Sequence, residues 1–176
     1  MAESSGLEAQ SLQEIAKYHE DAADSLRMFL SPPAVRVNLR YLFSTEAELS
    51  AILAMRLAET ELRSCLAILS SIEAALRVDY ATRCSARLKD SLSRDFRDLF
   101  KRYENRVSFE EDILRLWSKH YPELRREIGD LRGALKFRHW LAHGRYWELK
   151  RGRKYDVTDV FLLASVIGAN FPLART

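Results

Sequence analysis

Glycine and proline, which often end helices, and cysteine, which can form disulfides, are scarce. The 176 residues include six glycines, four prolines and two cysteines. Leu, Ala, Arg and Glu are plentiful instead, and these residues lose little side-chain freedom in a helix. Cys65 and Cys84 form no C-x-x-C motif and fall among apolar residues of helical patterns, which excludes a disulfide framework. We expect two buried thiols in a reducing compartment, and one domain with its own core.

Long apolar runs are also missing. The longest, residues 160–171, is shorter than the roughly 20 residues that span a bilayer. The N-terminus, MAESSGLEAQ, has no basic start followed by an apolar stretch, so it does not resemble a secretory signal. These absences predict a cytoplasmic protein with no membrane partner.

Charge of one sign is concentrated in a single segment. Residues 132–154 hold eight of the 28 Lys and Arg side chains but only one of the 25 Asp and Glu side chains, so the rest of the chain is slightly acidic. A basic block on a mildly acidic body favours an anionic ligand at that place. The other interpretation is a solvated basic hairpin that binds nothing.

Helical periodicity covers most of the chain. It predicts helices over residues 11–30, from Ser44 to about residue 77 or beyond, over 79–103, from a capping box at Ser108 and Glu111 to about 120, over 123–142, and from about Thr158. Pro32-Pro33 ends the first helix. We therefore divide the domain into an N-terminal helix and linker, residues 1–43, and a helical bundle, residues 44–176.

A turn signal interrupts this pattern late in the chain. Arg151-Gly152 stands between residues of strand character, which predicts a small basic hairpin. The expected fold is all-α, a helical bundle of about five to six helices with that hairpin added.

Two charged residues interrupt apolar helix faces. Glu73 follows Leu62, Leu66 and Leu69 on one stripe, and Arg138 occupies the face of Leu131, Leu135 and Ala142 on another. A buried charge without a partner is very costly, so each needs an opposite charge or a cleft that admits an anion. We predict that Glu73 is the structural partner of Arg138.

The stretch FRHWLAHGRYW, residues 137–147, places His139 and His143 four residues apart, so both lie on one helix face if the helix extends that far. This spacing suits a metal, but Trp140 stands where the zinc-protease motif H-E-x-x-H has its glutamate, and no third ligand is evident. We therefore assign no metal and no cofactor. The other interpretations are a half-buried structural histidine, an acid–base group at an exposed helix end near the arginine, and a metalloprotein that uses His139 and His143.

These residues resemble the HEPN superfamily, small helical domains whose signature is an arginine followed, after four to six residues, by a histidine. Arg138 and His143 match with four intervening residues, and His139 fills a place that is commonly polar in that family. The resemblance implies a metal-independent endoribonuclease that acts as a homodimer. A subset of the family carries a tyrosine two residues after the histidine, but Arg145 occupies that place here and Tyr146 follows it.

The resemblance also implies roles for the site residues. His143 would be the acid–base group or would orient the attacking 2′-hydroxyl, Arg138 would stabilise the charged transition state, and His139 would assist. The expected partners are RNA, a second copy of the chain and an antitoxin protein, as for a toxin or defence component. The alternative is a non-catalytic module that binds RNA or protein. In either case the expected RNA-binding residues are Arg145, Lys150, Arg151, Arg153 and Lys154.

Overall fold

The computed structural model describes residues 11–35, 37–145 and 154–174, and within them every regular element is helical. The α-helices are α1 (Leu12–Phe29), α2 (Pro32–Val35), α3 (Glu46–Ser85), α4 (Ser91–Tyr103), α5 (Arg115–His120), α6 (Arg125–Ala142) and α7 (Val157–Asn170). Short 3-10 turns span Glu104–Arg106 and Pro122–Leu124, and a π-helical turn spans Phe109–Leu114. The predicted all-α bundle is confirmed. The predicted hairpin at Arg151-Gly152 lies outside the described residues.

Helix α3 is the element against which the bundle is built. Its 40 residues make it about 60 Å long at about 1.5 Å per residue. It contacts α1, α4, α6 and α7. A capping box between Thr45 and Glu48 starts the helix, one residue after the predicted Ser44, because the side chain that accepts the Glu48 N–H belongs to Thr45.

The main core surrounds the middle and C-terminal half of α3. Its fully buried side chains come from α3, α4, the π-helical turn, α5, α6 and α7, and they include Ile68, Leu69, Leu76, Phe96, Ile113, Trp117, Leu131, Phe137 and Val160. Ile15 of α1 joins the same core. A second, small cluster of Leu30, Val35 and Tyr41 packs on the start of α3. No helix in the described part of the chain is long and apolar enough to cross a membrane.

The predicted boundary at residue 79 is wrong. Asp79 lies inside α3, which continues to Ser85 because no Gly or Pro stops it. The chain breaks where Arg87 adopts φ 51°, and Asp90 then caps α4 by accepting the Ser93 N–H. The segment predicted as one helix over residues 79–103 therefore contains a complete break between two helices.

Two further predicted helix ends differ in detail. The first helix ends at Phe29, and Pro32 and Pro33 begin the single turn α2, where proline is tolerated because the first helical N–H groups need no partner. At Ser108 the side chain accepts the Glu111 N–H as predicted, but the Ser108 N–H donates to Asp112, not to Glu111. The wide π-helical turn brings Asp112 into that position.

A buried guanidinium ties the end of α3 to the rest of the chain. Arg83 and Asp79 are 5% and 1% exposed and share hydrogen bonds of 2.8 and 3.0 Å. Arg83 also donates to Asp90, to Ser93 and to the carbonyl of Pro172, and its guanidinium lies 5.4 Å from the centre of the Trp117 ring. The Ala174 N–H donates to Asp79. One ion pair thus holds α3, α4 and the C-terminal segment together.

We predict that Arg83→Met lowers the free energy of unfolding by about 3–5 kcal/mol, because Asp79 is left buried without its counter-charge. Urea denaturation measures this change. The double variant Arg83→Met with Asp79→Asn should recover part of the loss, since it removes the unpaired charge. A loss below about 1 kcal/mol for the single variant, the usual size for an exposed ion pair, would contradict this account.

Candidate functional site

The C-terminal end of α6 is built to stop abruptly and expose its last residues. His143 is the C-cap, and its N–H bonds to the carbonyl of His139. Gly144 follows with φ 81°, and the Arg145 N–H then donates to the carbonyl of Trp140 at 3.2 Å. This is the Schellman arrangement, in which glycine takes the left-handed conformation that a side chain disfavours. His143 is therefore placed at an exposed turn.

His139 and His143 come together at this end. Both are exposed, and their ring centres lie 4.2 Å apart with the planes inclined by 49°. The four-residue spacing produces this contact because α6 stays helical through Ala142. On the opposite side, Phe137 is buried and stacks on Trp140 at 5.7 Å. The apolar side holds the helix end in place while the imidazoles face solvent.

Arg138 lies beside α3, with its Nη2 atom 3.5 Å from Oε2 of Glu73. Glu73 also accepts a 2.8 Å hydrogen bond from Arg77, so one carboxylate pairs with two guanidinium groups. The side chain of Arg138 is 33% exposed, and its buried Nε atom makes no hydrogen bond within the described residues. This corner consequently carries an excess of positive charge.

Arg145 is held by a contact that the sequence did not suggest. It pairs with Glu59 at 2.7 Å, and Glu59 also pairs with Arg63 at 3.2 Å. The hydrogen bond from Arg145 is the main cause that holds the pKa of Glu59 below its ordinary value. Arg145 thus attaches the chain that follows α6 to α3, and Glu59 partly neutralises its charge.

The remaining predicted RNA-binding residues belong to the basic segment, residues 145–154. Lys150, Arg151 and Arg153 lie outside the described residues, and Lys154 is exposed. The described ends of the segment both lie against α3. Arg145 contacts Glu59 at one end, and at the other the Tyr155 carbonyl accepts from the Cys65 thiol and the Val157 N–H donates to Glu61. The segment therefore leaves from and returns to the same stretch of α3.

Close packing fixes the return of that segment. The Tyr155 ring lies 5.7 Å from the Phe137 ring, and a Cβ atom at Gly133 would come within 2.8 Å of the Tyr155 hydroxyl. Gly133 therefore gives α6 room for this tyrosine. Both ends of the basic segment are positioned near the end of α6 by buried or half-buried contacts.

The arrangement contains a cation, an acid–base group and an open surface. No hydrogen bond or ion pair joins Arg138 to His143 in the described part of the chain. Arg138 faces α3, whereas His143 stands at the exposed turn. Within residues 11–35, 37–145 and 154–174, no three His, Cys, Asp or Glu side chains are grouped to hold a metal ion. The groups that are present can move a proton and stabilise negative charge.

Comparisons with known proteins give no family: no protein-family model, no curated protein and no solved structure matches this chain.

Sequence reasoning missed Glu59 as part of this site. Its contact with Arg145 spans 86 positions, and neither residue interrupts an apolar stripe. The only local signal is the spacing of Glu59 and Arg63, which suits an ion pair on a helix surface and is common on exposed helices. Such a pattern does not indicate a distant third partner.

We predict that Gly144→Ala lowers the free energy of unfolding by about 1 kcal/mol, because the left-handed conformation is strained for alanine. Gly129→Ala is the matched control, because Gly129 lies inside α6. No atom lies within 4 Å of its Cβ position and its backbone is helical, so it should add about 0.5–1 kcal/mol. Thermal and urea unfolding compare the two. Changes in the free energy of unfolding that are equal in size and sign for the two variants would show that the left-handed conformation at residue 144 does not require glycine.

We also predict that Glu73 interacts more strongly with Arg77 than with Arg138, since the distances are 2.8 and 3.5 Å. Double-mutant cycles with Glu73→Gln, Arg77→Gln and Arg138→Gln measure both coupling energies. Partly exposed pairs of this kind contribute about 1 kcal/mol or less, so we expect about 0.5–1 kcal/mol for Arg77 and less for Arg138. A larger coupling for Arg138 would mean that its guanidinium is committed to Glu73.

Proposed function

We propose that the exposed end of α6 cleaves RNA without a metal ion, as the HEPN resemblance implies. The observation that carries this proposal is the pair of exposed imidazoles of His139 and His143, 4.2 Å apart, one and five residues after Arg138, which shares its carboxylate partner with Arg77. An accessible imidazole can accept and donate protons near neutral pH. The guanidinium supplies the charge that a phosphodiester requires.

The chemistry follows from these groups. The 2′-hydroxyl oxygen attacks the adjacent phosphorus, a bond forms between them, and the bond to the 5′-oxygen breaks. His143 takes the hydroxyl proton or orients the hydroxyl, and the leaving oxygen gains a proton from an acid, for which His139 is the nearest candidate. The products are a 2′,3′-cyclic phosphate and a 5′-hydroxyl.

Arg138 supports this proposal through its incomplete pairing. Glu73 offers one negative charge to the guanidinium groups of Arg138 and Arg77, so the cluster keeps a net positive charge. The phosphorane-like transition state has more negative charge than the substrate, and a preorganised guanidinium stabilises it preferentially. A fully buried and neutralised arginine would offer no such stabilisation.

A second copy of the chain would complete the site. Arg138 and His143 make no direct contact within one described chain, and they stand on different sides of the end of α6. A homodimer that joins two such ends would place the histidine of one copy near the arginine of the other. An RNase of this kind fits a toxin or defence component whose activity an antitoxin protein restrains.

The alternative function is a non-catalytic module that binds RNA or an acidic protein. The pairing of Arg145 with Glu59 and of Arg138 with Glu73 favours it, because both arginines have structural partners. RNA binding with a steep salt dependence and no product would support this alternative, since it reflects counterion release alone.

The test is incubation of the purified protein with total RNA and with a labelled oligonucleotide, with EDTA present. We expect His143→Ala and Arg138→Ala each to lower cleavage by about 100-fold or more, the usual contribution of an acid–base or charge-stabilising group. Lys136→Ala is the matched control, because Lys136 is an exposed cation on the same helix, and it should leave cleavage nearly unchanged.

The product ends separate this mechanism from others. A 2′-deoxy substitution at the cleaved position should abolish cleavage there, and the product should carry a 2′,3′-cyclic phosphate. Cleavage by the folded His143→Ala variant at the wild-type rate would rule out the proposed role of this histidine. Loss of wild-type activity in EDTA would point to a metal-dependent reaction.

A further inference from the structure

A cavity of about 680 Å³ opens between the C-terminal end of α3, helix α4 and the segment that follows α4. This volume falls within the range of about 300–1,000 Å³ that is usual for small-molecule sites. It is separate from the end of α6, although Arg77 contacts both Glu73 and this cavity. The lining residues that matter here are Arg77, Tyr80, Arg87, Arg97, Phe100 and Lys101.

The rim of the cavity is strongly basic. Arg77, Arg87, Arg97 and Lys101 line it, against one acid, Glu104. Neither Arg87 nor Arg97 makes an ion pair with a described carboxylate, and the Arg97 guanidinium donates to the neutral carbonyl of Leu88 at 2.7 Å. The other two cations of the rim, Arg77 and Lys101, are only partly neutralised by their carboxylate partners. Arg77 shares Glu73 with Arg138, and Lys101 meets Asp98 in an exposed contact of 3.1 Å.

The inner surface of the cavity is apolar and aromatic. Tyr80 and Phe100 line it together with Val107 and Ile113. The Tyr80 ring packs edge-on against the buried Phe96, which fixes its orientation. Phe100 is a large apolar side chain that remains 46% exposed. An apolar interior with charged groups at one side is typical of sites for amphiphilic ligands.

The Tyr80 hydroxyl is buried behind the wall of the cavity. The Tyr80 hydroxyl oxygen is buried and makes no hydrogen bond of good geometry in the described part of the chain, although the Cys84 thiol lies beside it. Burial raises the pKa of Tyr80 to about 12, so the hydroxyl stays neutral at physiological pH. The ring of Tyr80, and not its hydroxyl, is therefore the part that a ligand in the cavity can contact.

We propose that this cavity binds an organic phosphate with a flat, unsaturated body, of the size of a nucleotide. The phosphate oxygens would contact the basic rim, and a phosphate monoester carries about −1.5 to −2 charge near pH 7, which suits several cations better than one carboxylate does. The flat body would lie between the Tyr80 and Phe100 rings. This assignment does not depend on RNA cleavage by the end of α6.

The experiment is isothermal titration of the intact protein with ADP, AMP, inorganic phosphate and dodecyl phosphate. We expect ADP to bind most tightly, followed by AMP, because the second phosphate adds charge. Inorganic phosphate lacks the flat body and dodecyl phosphate replaces it with a flexible chain, so both should bind at least about tenfold more weakly than ADP, a difference of about 1.4 kcal/mol.

Two variants locate the site. Arg87→Gln with Lys101→Gln removes two exposed rim cations and should weaken ADP binding by about tenfold or more. Ala81→Phe narrows the cavity and should have a similar effect. The matched control is Arg94→Gln with Arg102→Gln, which removes two exposed cations of α4 that do not line the cavity. It should leave the affinity within about twofold. Thermal unfolding verifies that each variant is folded.

Several results would overturn the proposal. Absence of ADP binding to the wild-type protein is one, and unchanged affinity in the folded rim variant is another. An equal loss in the control variant would mean a general effect of surface charge. Inorganic phosphate that binds as tightly as ADP would exclude the flat body, and tighter binding of dodecyl phosphate would favour a lipid-like ligand. All of these are binding measurements, so they are distinguishable from a failure of RNA cleavage.

Discussion

The buried guanidinium of Arg83 is the constraint on which the C-terminal half of the structure depends. Removing it from water is tolerated only because Asp79, Asp90, Ser93 and the Pro172 carbonyl satisfy its donors together. The four acceptors come from three parts of the chain, namely the end of α3, the start of α4 and the segment after α7. None can move far without leaving a buried charge unpaired, so their relative positions are fixed.

Arg83 fixes the position of α3 against α4, and the two sites that we propose both lie along α3. The pair of α3 and α4, fixed at Arg83, encloses the basic cavity between Arg77 and Lys101. The middle of α3 receives the end of α6 through Glu73 and Glu59. Arg77 contributes to both surfaces, because it lines the cavity and bonds to the carboxylate that Arg138 also approaches. A charge placed in the cavity would therefore act on the same carboxylate that partners Arg138.

The sequence predicted the parts of this fold that depend on periodicity and on local caps. Apolar spacing identified most of the helices, and the interruptions at Glu73 and Arg138 suggested the pairing that the structure places at 3.5 Å. The predicted boundary at residue 79 was wrong because α3 contains no Gly or Pro there. No local signal in the sequence then tells whether the helix stops or continues. That error also concealed Asp79 and Arg83, an ion pair within one helix turn. The contact of Arg145 with Glu59 and the basic cavity depend on tertiary packing, which no local pattern records.

Burial explains why two arginines of similar surroundings can have different roles. Arg83 is 5% exposed and bonds to Asp79 at 2.8 and 3.0 Å, so breaking its pair leaves a buried charge, and the pair stays closed. Arg138 is 33% exposed and lies 3.5 Å from a carboxylate that Arg77 already engages. A longer pair whose carboxylate is shared contributes about 1 kcal/mol or less, so it opens more easily than the Arg83 pair. A guanidinium and a carboxylate thus form a tightly held pair at the C-terminal end of α3 and a weaker pair near its middle.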